Sequence, residues 1–168
     1  MVGVFTLNNI KVLSGNIHTL KNGLAFDIYD VTNPLDPFRE EEMWQKVLHD
    51  ALEAIEGGLP LDEWINRKER TTLLSRGEYP SPAKGVRIDN DASDFFSILE
   101  VTGGMRTGLL YDLAKKIFSL GLDIRFAKVN SDKEQMTGVF YVRDAGGQKI
   151  YEDAILNKTR DEILSVLG

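Results

Sequence analysis

The residues best placed to do chemistry run from Gly103 to Leu109, Gly-Gly-Met-Arg-Thr-Gly-Leu. Gly103 and Gly104 let the backbone come close to a small molecule, and Gly108 leaves space where a Cβ would obstruct one. A helix is predicted to start at this loop, so its unpaired backbone N–H groups and the positive end of its dipole suit an anion. Arg106 could add a charge-assisted hydrogen bond. Together Gly103, Gly104, Met105, Arg106, Thr107, Gly108 and Leu109 form a loop suited to holding a carboxylate. The same spacing also reads as a tight strand-to-helix turn that binds nothing.

Other candidate constellations are weaker. His49-Asp50 spells a dipeptide used by metal-dependent phosphohydrolases, but such a centre needs further His and Asp ligands at helical positions. The other histidine, His18, falls on a predicted strand. Asp89-Asn90-Asp91 lacks the glycine and terminal glutamate of a calcium loop and reads as a capping turn. No phosphate-binding loop, dinucleotide fingerprint or Gly-x-Ser-x-Gly elbow occurs. With 0 cysteines, the 168 residues carry no disulfide, thiolate metal site or catalytic thiol.

The net charge of -6 argues against nucleic acid and against an anionic membrane, since phosphate binding relies on clustered Lys and Arg. Phe126, Phe140 and Tyr141 lie on predicted strands, yet no basic motif accompanies them as RNA stacking would require. No apolar run approaches the roughly 20 residues of a membrane span. The N-terminus lacks a secretory pattern, and a cytoplasmic location is expected.

The elements around the loop follow from periodicity. Val2 to Asn8 reads as the tail of a helix. Ile10–Thr19 and Leu24–Val31 read as strands, with Lys21-Asn22-Gly23 as the turn between them. Asp36 suits an N-cap, Pro37 the first turn, and Trp44, Val47, Leu48, Ala51 and Ile55 a helix stripe closed by Gly57-Gly58. Leu61 to Leu74 is compatible with a helix, and Gly77, Pro80, Ser81, Pro82 and Gly85 mark an irregular connection. The pattern then restarts as strands at 86–89 and 95–101, a turn at Thr102-Gly103-Gly104, a helix from Leu109 to Leu120, strands at 122–130 and 136–142, and a last helix from about Ile155. That order predicts an α+β, ferredoxin-like (βαββαβ) split sheet with helices on one face.

The two halves superimpose as a repeat. Asn9-Ile10-Lys11-Val12 falls on Gly121-Leu122-Asp123-Ile124, Gly15-Asn16-Ile17 on Ala127-Lys128-Val129, and Ile28-Tyr29-Asp30-Val31 on Val139-Phe140-Tyr141-Val142. At the same offset Met1 falls on Leu113, inside the first helix of the second copy. The first copy thus lacks a first strand and most of a first helix, and the chain reads as a fragment of a longer protein. The expected organisation is a partial first domain at 1–60, a linker at 61–85 with a short helix, and a second domain at 86–168.

Three stretches resemble the ACT domains at the C-terminal end of bacterial PII uridylyltransferases: Val86 to Ser93, Ile98 to Leu120, and Gly3 to Thr19 with Phe26 to Val31. The resemblance implies tandem ACT domains, the first one truncated, that act as a regulatory amino-acid sensor and not as an enzyme. Glutamine is the ligand it implies. No cofactor follows from it. The implied partners are the catalytic domains of a longer chain, engaged in nitrogen-signalling nucleotidyltransfer, and a second copy joined through ACT–ACT contacts. In the family the ligand loop commonly reads Asp-Arg-Pro-Gly-Leu-Leu, whereas here Met105 stands at the Asp and Thr107 at the Pro. The acceptor for a ligand ammonium is thereby lost, which leaves altered specificity or a decayed site serving only as a pairing module. The second wall of such a site is expected from Asn9 and Lys11, or from Leu122 and Asp123.

Overall fold

Alternation of apolar and polar residues sets the strands. In β6, Gln135–Arg143, the side chains of Met136, Phe140 and Val142 are buried while Gln135, Val139, Tyr141 and Arg143 are half-exposed and Thr137 is exposed, the period-2 pattern of a sheet with one covered face. The computed structural model describes residues 1–20, 22, 24–33, 37–73, 83–132 and 134–168. In chain order the remaining elements are helix α1 (Val2–Leu7), strands β1 (Val12–Thr19) and β2 (Ala25–Val31), a single 3-10 turn at Pro37–Arg39, helices α2 (Glu40–Ile55) and α3 (Leu61–Leu73), strands β3 (Gly85–Asp89) and β4 (Ser97–Gly104), helix α4 (Leu109–Ser119), strand β5 (Asp123–Ser131) and helix α5 (Asp153–Val166). Lys21 and Gly23 of the expected hairpin turn, the Asp36 cap, and the connection through Gly77, Pro80, Ser81 and Pro82 lie outside the described residues.

The fold is α+β, with one six-stranded sheet in the order β2-β1-β5-β6-β4-β3 and every neighbouring pair antiparallel. This arrangement is compatible with two ferredoxin-like units placed side by side. In the second unit β4, α4, β5, β6 and α5 follow one another, and the place beside β4 is taken by β3, which precedes it in the chain. The units join where β1 pairs with β5, Asn16 opposite Lys128.

The repeat holds down to register. Gly15 faces Tyr29 and Asn16 faces Ile28; at the equivalent places Ala127 faces Phe140 and Lys128 faces Val139. It holds at the helix ends too. Asn9, at φ 59°, and Gly121, at φ 74°, both turn the chain out of a helix. The Ile10 N–H then donates to the Phe5 carbonyl at 2.9 Å, and Leu122 N–H to that of Ile117 at 3.3 Å. Asn and Gly are the residues that accept this left-handed exit from a helix.

The larger core lies under the second unit. Leu99, Leu113, Ile117, Phe140 and Ile163 are fully buried between the sheet and α4 and α5. A smaller cluster of Val4, Phe5, Ile10, Val47 and Ala51 holds α1 and α2 together, and Val12 touches both clusters. At the far edge β2 exposes Phe26 and Ile28, which lie on the face of the sheet that no described helix covers.

Two local expectations change. Thr102-Gly103-Gly104 is not a turn: β4 continues to Gly104, since Gly103 pairs with Met136 and Gly104 with Gln135. Phe95 and Phe96 precede the strand, which starts at Ser97. The helix expected within the 61–85 segment is α3, whose Ile65 is 2% exposed.

Candidate functional site

With β4 extended, the strand-to-helix turn narrows to Met105-Arg106-Thr107-Gly108. Gly108 has φ 78°, a conformation other residues enter at a cost, and a Cβ there would meet Ile65 Cγ2 at 2.9 Å. The glycine therefore serves both the turn and the close approach of α3. Among the described residues no side-chain hydrogen bond caps the start of α4, whose first turn carries Asp112, paired with Arg106 at 2.6 Å.

This turn forms one wall of a cavity of about 400 Å³ between the two units. Met105, Arg106, Thr107, Gly108, Leu109 and Leu110 line that wall. Facing them are Val2 and Thr6 of α1, Asn9 and Ile10 at its exit, Lys11, and Val12 of β1. The sheet supplies Val129, Ser131 and Met136, and α3 adds Lys68. A volume of a few hundred Å³ suits a small metabolite.

Of the residues proposed from sequence, Asn9, Lys11, Met105, Arg106, Thr107, Gly108 and Leu109 thus come together on one cavity. The other four do not. Gly103 lies in β4, where an added Cβ would meet Leu167 Cδ2 at 2.8 Å, so its smallness serves packing against the end of α5. Gly104 is a ladder residue opposite Gln135. Leu122 is a core residue, 4% exposed. Asp123 starts β5, pairing with Arg125 at 3.1 Å, whereas the cavity touches that strand near its other end at Ser131, about 25 Å away at roughly 3.3 Å per residue.

The polar groups on the wall are held in place by their neighbours. Arg106 donates to Asp112 at 2.6 Å, to the Val166 carbonyl at 3.0 Å and to the Thr107 carbonyl at 3.2 Å. The Met105 N–H donates to the Glu134 carbonyl at 2.7 Å. Lys11 Nζ donates to the Asp132 carbonyl, and Ser131 Oγ to that of Val12. Lys68 Nζ donates to the carbonyls of Thr6 and Leu7 at 2.6 and 2.8 Å. Burial pulls the Lys68 ammonium below its ordinary value, and the Lys46 charge adds to that pull. Among the described residues, Lys11, Lys68 and Arg106 line this cavity and no Asp or Glu does. Reading the sequence missed Lys68, Thr6 and Ser131, because each comes from an element whose position relative to the loop depends on how the two units pack.

The remaining chemical candidates have local roles. His49 is exposed beside Glu53 at 3.6 Å, and His18 lies edge-on to Phe126 on the helix-free face of the sheet, with ring centroids 5.4 Å apart. Asp89 Oδ1 accepts the N–H groups of Asp91 and Ala92 at 2.8 and 2.9 Å, the expected capping turn; those bonds, Ala92's first, hold its carboxyl below the usual range.

No family model matches the chain, and no solved structure matches it significantly. Curated proteins do. The chain is 30% identical over 171 aligned residues to the bifunctional uridylyltransferase/uridylyl-removing enzyme of Azospirillum brasilense, an alignment covering 100% of this chain and 18% of that protein. It is 29% identical to the enzyme of the same description from Gluconobacter oxydans, covering 99% of this chain and 18% of the relative. For Caulobacter vibrioides the identity is 32%, with 94% and 17% covered. Over essentially its whole length, the chain therefore corresponds to one segment of these enzymes, and it spans less than a fifth of their length.

Proposed function

We propose that this chain is a non-catalytic regulatory module of a cytoplasmic, uridylyltransferase-like protein. In this reading it consists of tandem ACT-type units that bind a small amino-acid metabolite, glutamine being the ligand the sequence resemblance points to. Binding would reset the attached uridylyl-transferring and uridylyl-removing activities through a difference in affinity between two packings of the units. A second copy would join through unit-to-unit contacts.

The observation that carries the reading is the cavity between the units, where the uncapped start of α4 faces Asn9 and Lys11. A ligand there touches both units at once, so it can favour one relative packing over another. Similarity to a segment of bifunctional uridylyltransferase/uridylyl-removing enzymes supports the regulatory context. A second reading, a pairing module that binds no ligand, is favoured by Arg106, whose guanidinium already serves Asp112 and the end of α5.

A thermal-shift panel of the twenty amino acids at millimolar concentration separates the two readings. A ligand that binds only the folded state raises the melting temperature by mass action. The sensing reading expects a selective rise with one or a few of the amino acids. A flat panel with a folded protein favours the pairing module.

A further inference from the structure

We propose that the free edge of β2 accepts an extended polypeptide strand with the alternating pattern of β4, which pairs antiparallel to β2 and sets a hydrogen-bond donor opposite Asp27. The inference stands apart from the cavity reading, since none of the described residues of β2 lines that cavity.

The second unit holds the precedent. β1 and β2 repeat β5 and β6 in register, with Ile28 standing where Val139 stands. On its other side β6 carries β4, antiparallel, with Ser97 opposite Val142 and Val101 opposite Gly138. β2 ends the sheet, so among the described residues its second side has no ladder partner. Alternate residues of an antiparallel strand turn their N–H and C=O groups away from the first partner. Such an open row is a template for a further strand. Ala25–Val31 contains no proline or lysine, the residues that commonly blunt an edge.

Asp27 gives the edge a preference. It lies on the inner face with Ile17 and Tyr29, and Tyr29 Oη donates to Asp27 Oδ2 at 3.1 Å. Asp27 Oδ1 is buried, and among the described residues no donor reaches it. Buried polar atoms are nearly always paired, so this oxygen calls for a partner. Carried over to β2, the register of β4 on β6 sets the place of Val101 opposite Asp27. A threonine or lysine at that place in the added strand lies about 5 Å away across the ladder and supplies the donor.

Beneath the same edge α2 presents an apolar flank. Leu48, Leu52 and Ile55 fall on one side of the helix, each more than half exposed. Lys46 and Asp50, on the opposite side, bond to Asn8 at the end of α1. α1 in turn touches α4 of the second unit, so the Leu48 flank faces away from that unit, toward the β2 side. In the second unit the matching helix, α5, packs against β3, the strand beyond β4. Inward-facing apolar side chains of an added strand would meet the α2 flank in the same way.

The test uses three synthetic peptides and the whole 168-residue chain. The first peptide copies β4, Ser97–Gly104. The second carries Val101→Thr, and the third Leu99→Pro with Glu100→Pro, which removes a ladder donor in either parity. Hydrogen exchange follows Ala25–Val31, and calorimetric titration gives the dissociation constants. The first two peptides are expected to slow exchange of alternate β2 amides, the second binding about fivefold more tightly, the worth of one further hydrogen bond. The third should do neither. On the Asp27→Ala chain the first two should bind equally. Failure of the first two to slow β2 exchange at millimolar concentration, or equal action by the third, overturns the proposal. A difference that survives Asp27→Ala overturns the part given to Asp27. Protection of β2 that grows with protein concentration alone makes a second copy the occupant and likewise overturns it. If Asp27→Ala does not fold, the three peptides on the native chain still decide the edge.

Discussion

Gly108 is the residue on which the geometry of the proposed site most depends. Its φ of 78° and the Ile65 methyl 2.9 Å from where a Cβ would stand make two separate demands for glycine. Gly121 makes only the first, with φ 74° and nothing within 4 Å of the equivalent point. Gly121→Ala should therefore cost about 1 kcal/mol, the left-handed penalty alone. Gly108→Ala should cost about 2–4 kcal/mol, since Ile65 must also give way. Urea unfolding of the two variants checks this, and equal losses would mean that α3 does not press on the loop. Asp50 carries a prediction about pH. Burial alone would raise its carboxyl, but hydrogen bonds from Lys46 at 2.5 Å and Asn8 at 2.7 Å, with the Lys46 charge, hold it below its ordinary value. A depressed folded value contributes stability that is fully present above the unfolded value, about 3.9, and is lost as pH falls through the folded one. The stability advantage of the native chain over Asp50→Asn should thus be larger at pH 5 than at pH 3. An advantage independent of pH would contradict the bonds drawn to Asp50.

At the scale of elements, the sheet has one face that builds the fold and one that does not. Leu113 of α4 is fully buried against the inner face, so Leu113→Ala should cost about 2–5 kcal/mol. Ile28 of β2 is 53% exposed on the outer face, and Ile28→Thr should stay within about 0.5 kcal/mol. Comparable losses at the two positions would mean the outer face is covered in solution. Much of this architecture was legible in the sequence. The stripe from Leu109 to Leu120 gives α4 directly, and the match of Asn9 to Gly121 marks two helix exits that the structure builds alike. What misled was composition. Thr102-Gly103-Gly104 looks like a turn because glycine favours turns, yet tertiary pairing with Gln135 and Met136 keeps it a strand, and the end of α5 requires the small residue at 103. Leu122 and Asp123 were equally good candidates for the second wall by repeat logic. Only the pairing of β1 with β5 decides that the wall comes from Asn9 and Lys11, and no local pattern encodes that pairing.

For the whole molecule, the central claim is that the two units meet around a ligand. The sheet runs unbroken from β2 to β3, and Val12 packs against both hydrophobic clusters, so a change at the shared cavity can reach either unit. The proposed division at 1–60, 61–85 and 86–168 places the cavity between the first and last segments, with Lys68 brought in from the middle one. The most direct test is an amide-resolved NMR titration of the 168-residue chain with glutamine. Glutamine is predicted to shift the backbone amides of Met105 to Leu109 together with those of Asn9 to Lys11, while Gly121 and Asp123 at the opposite end of the sheet stay in place. Shifts confined to residues away from the cavity, or no shift at tens of millimolar, would contradict the account.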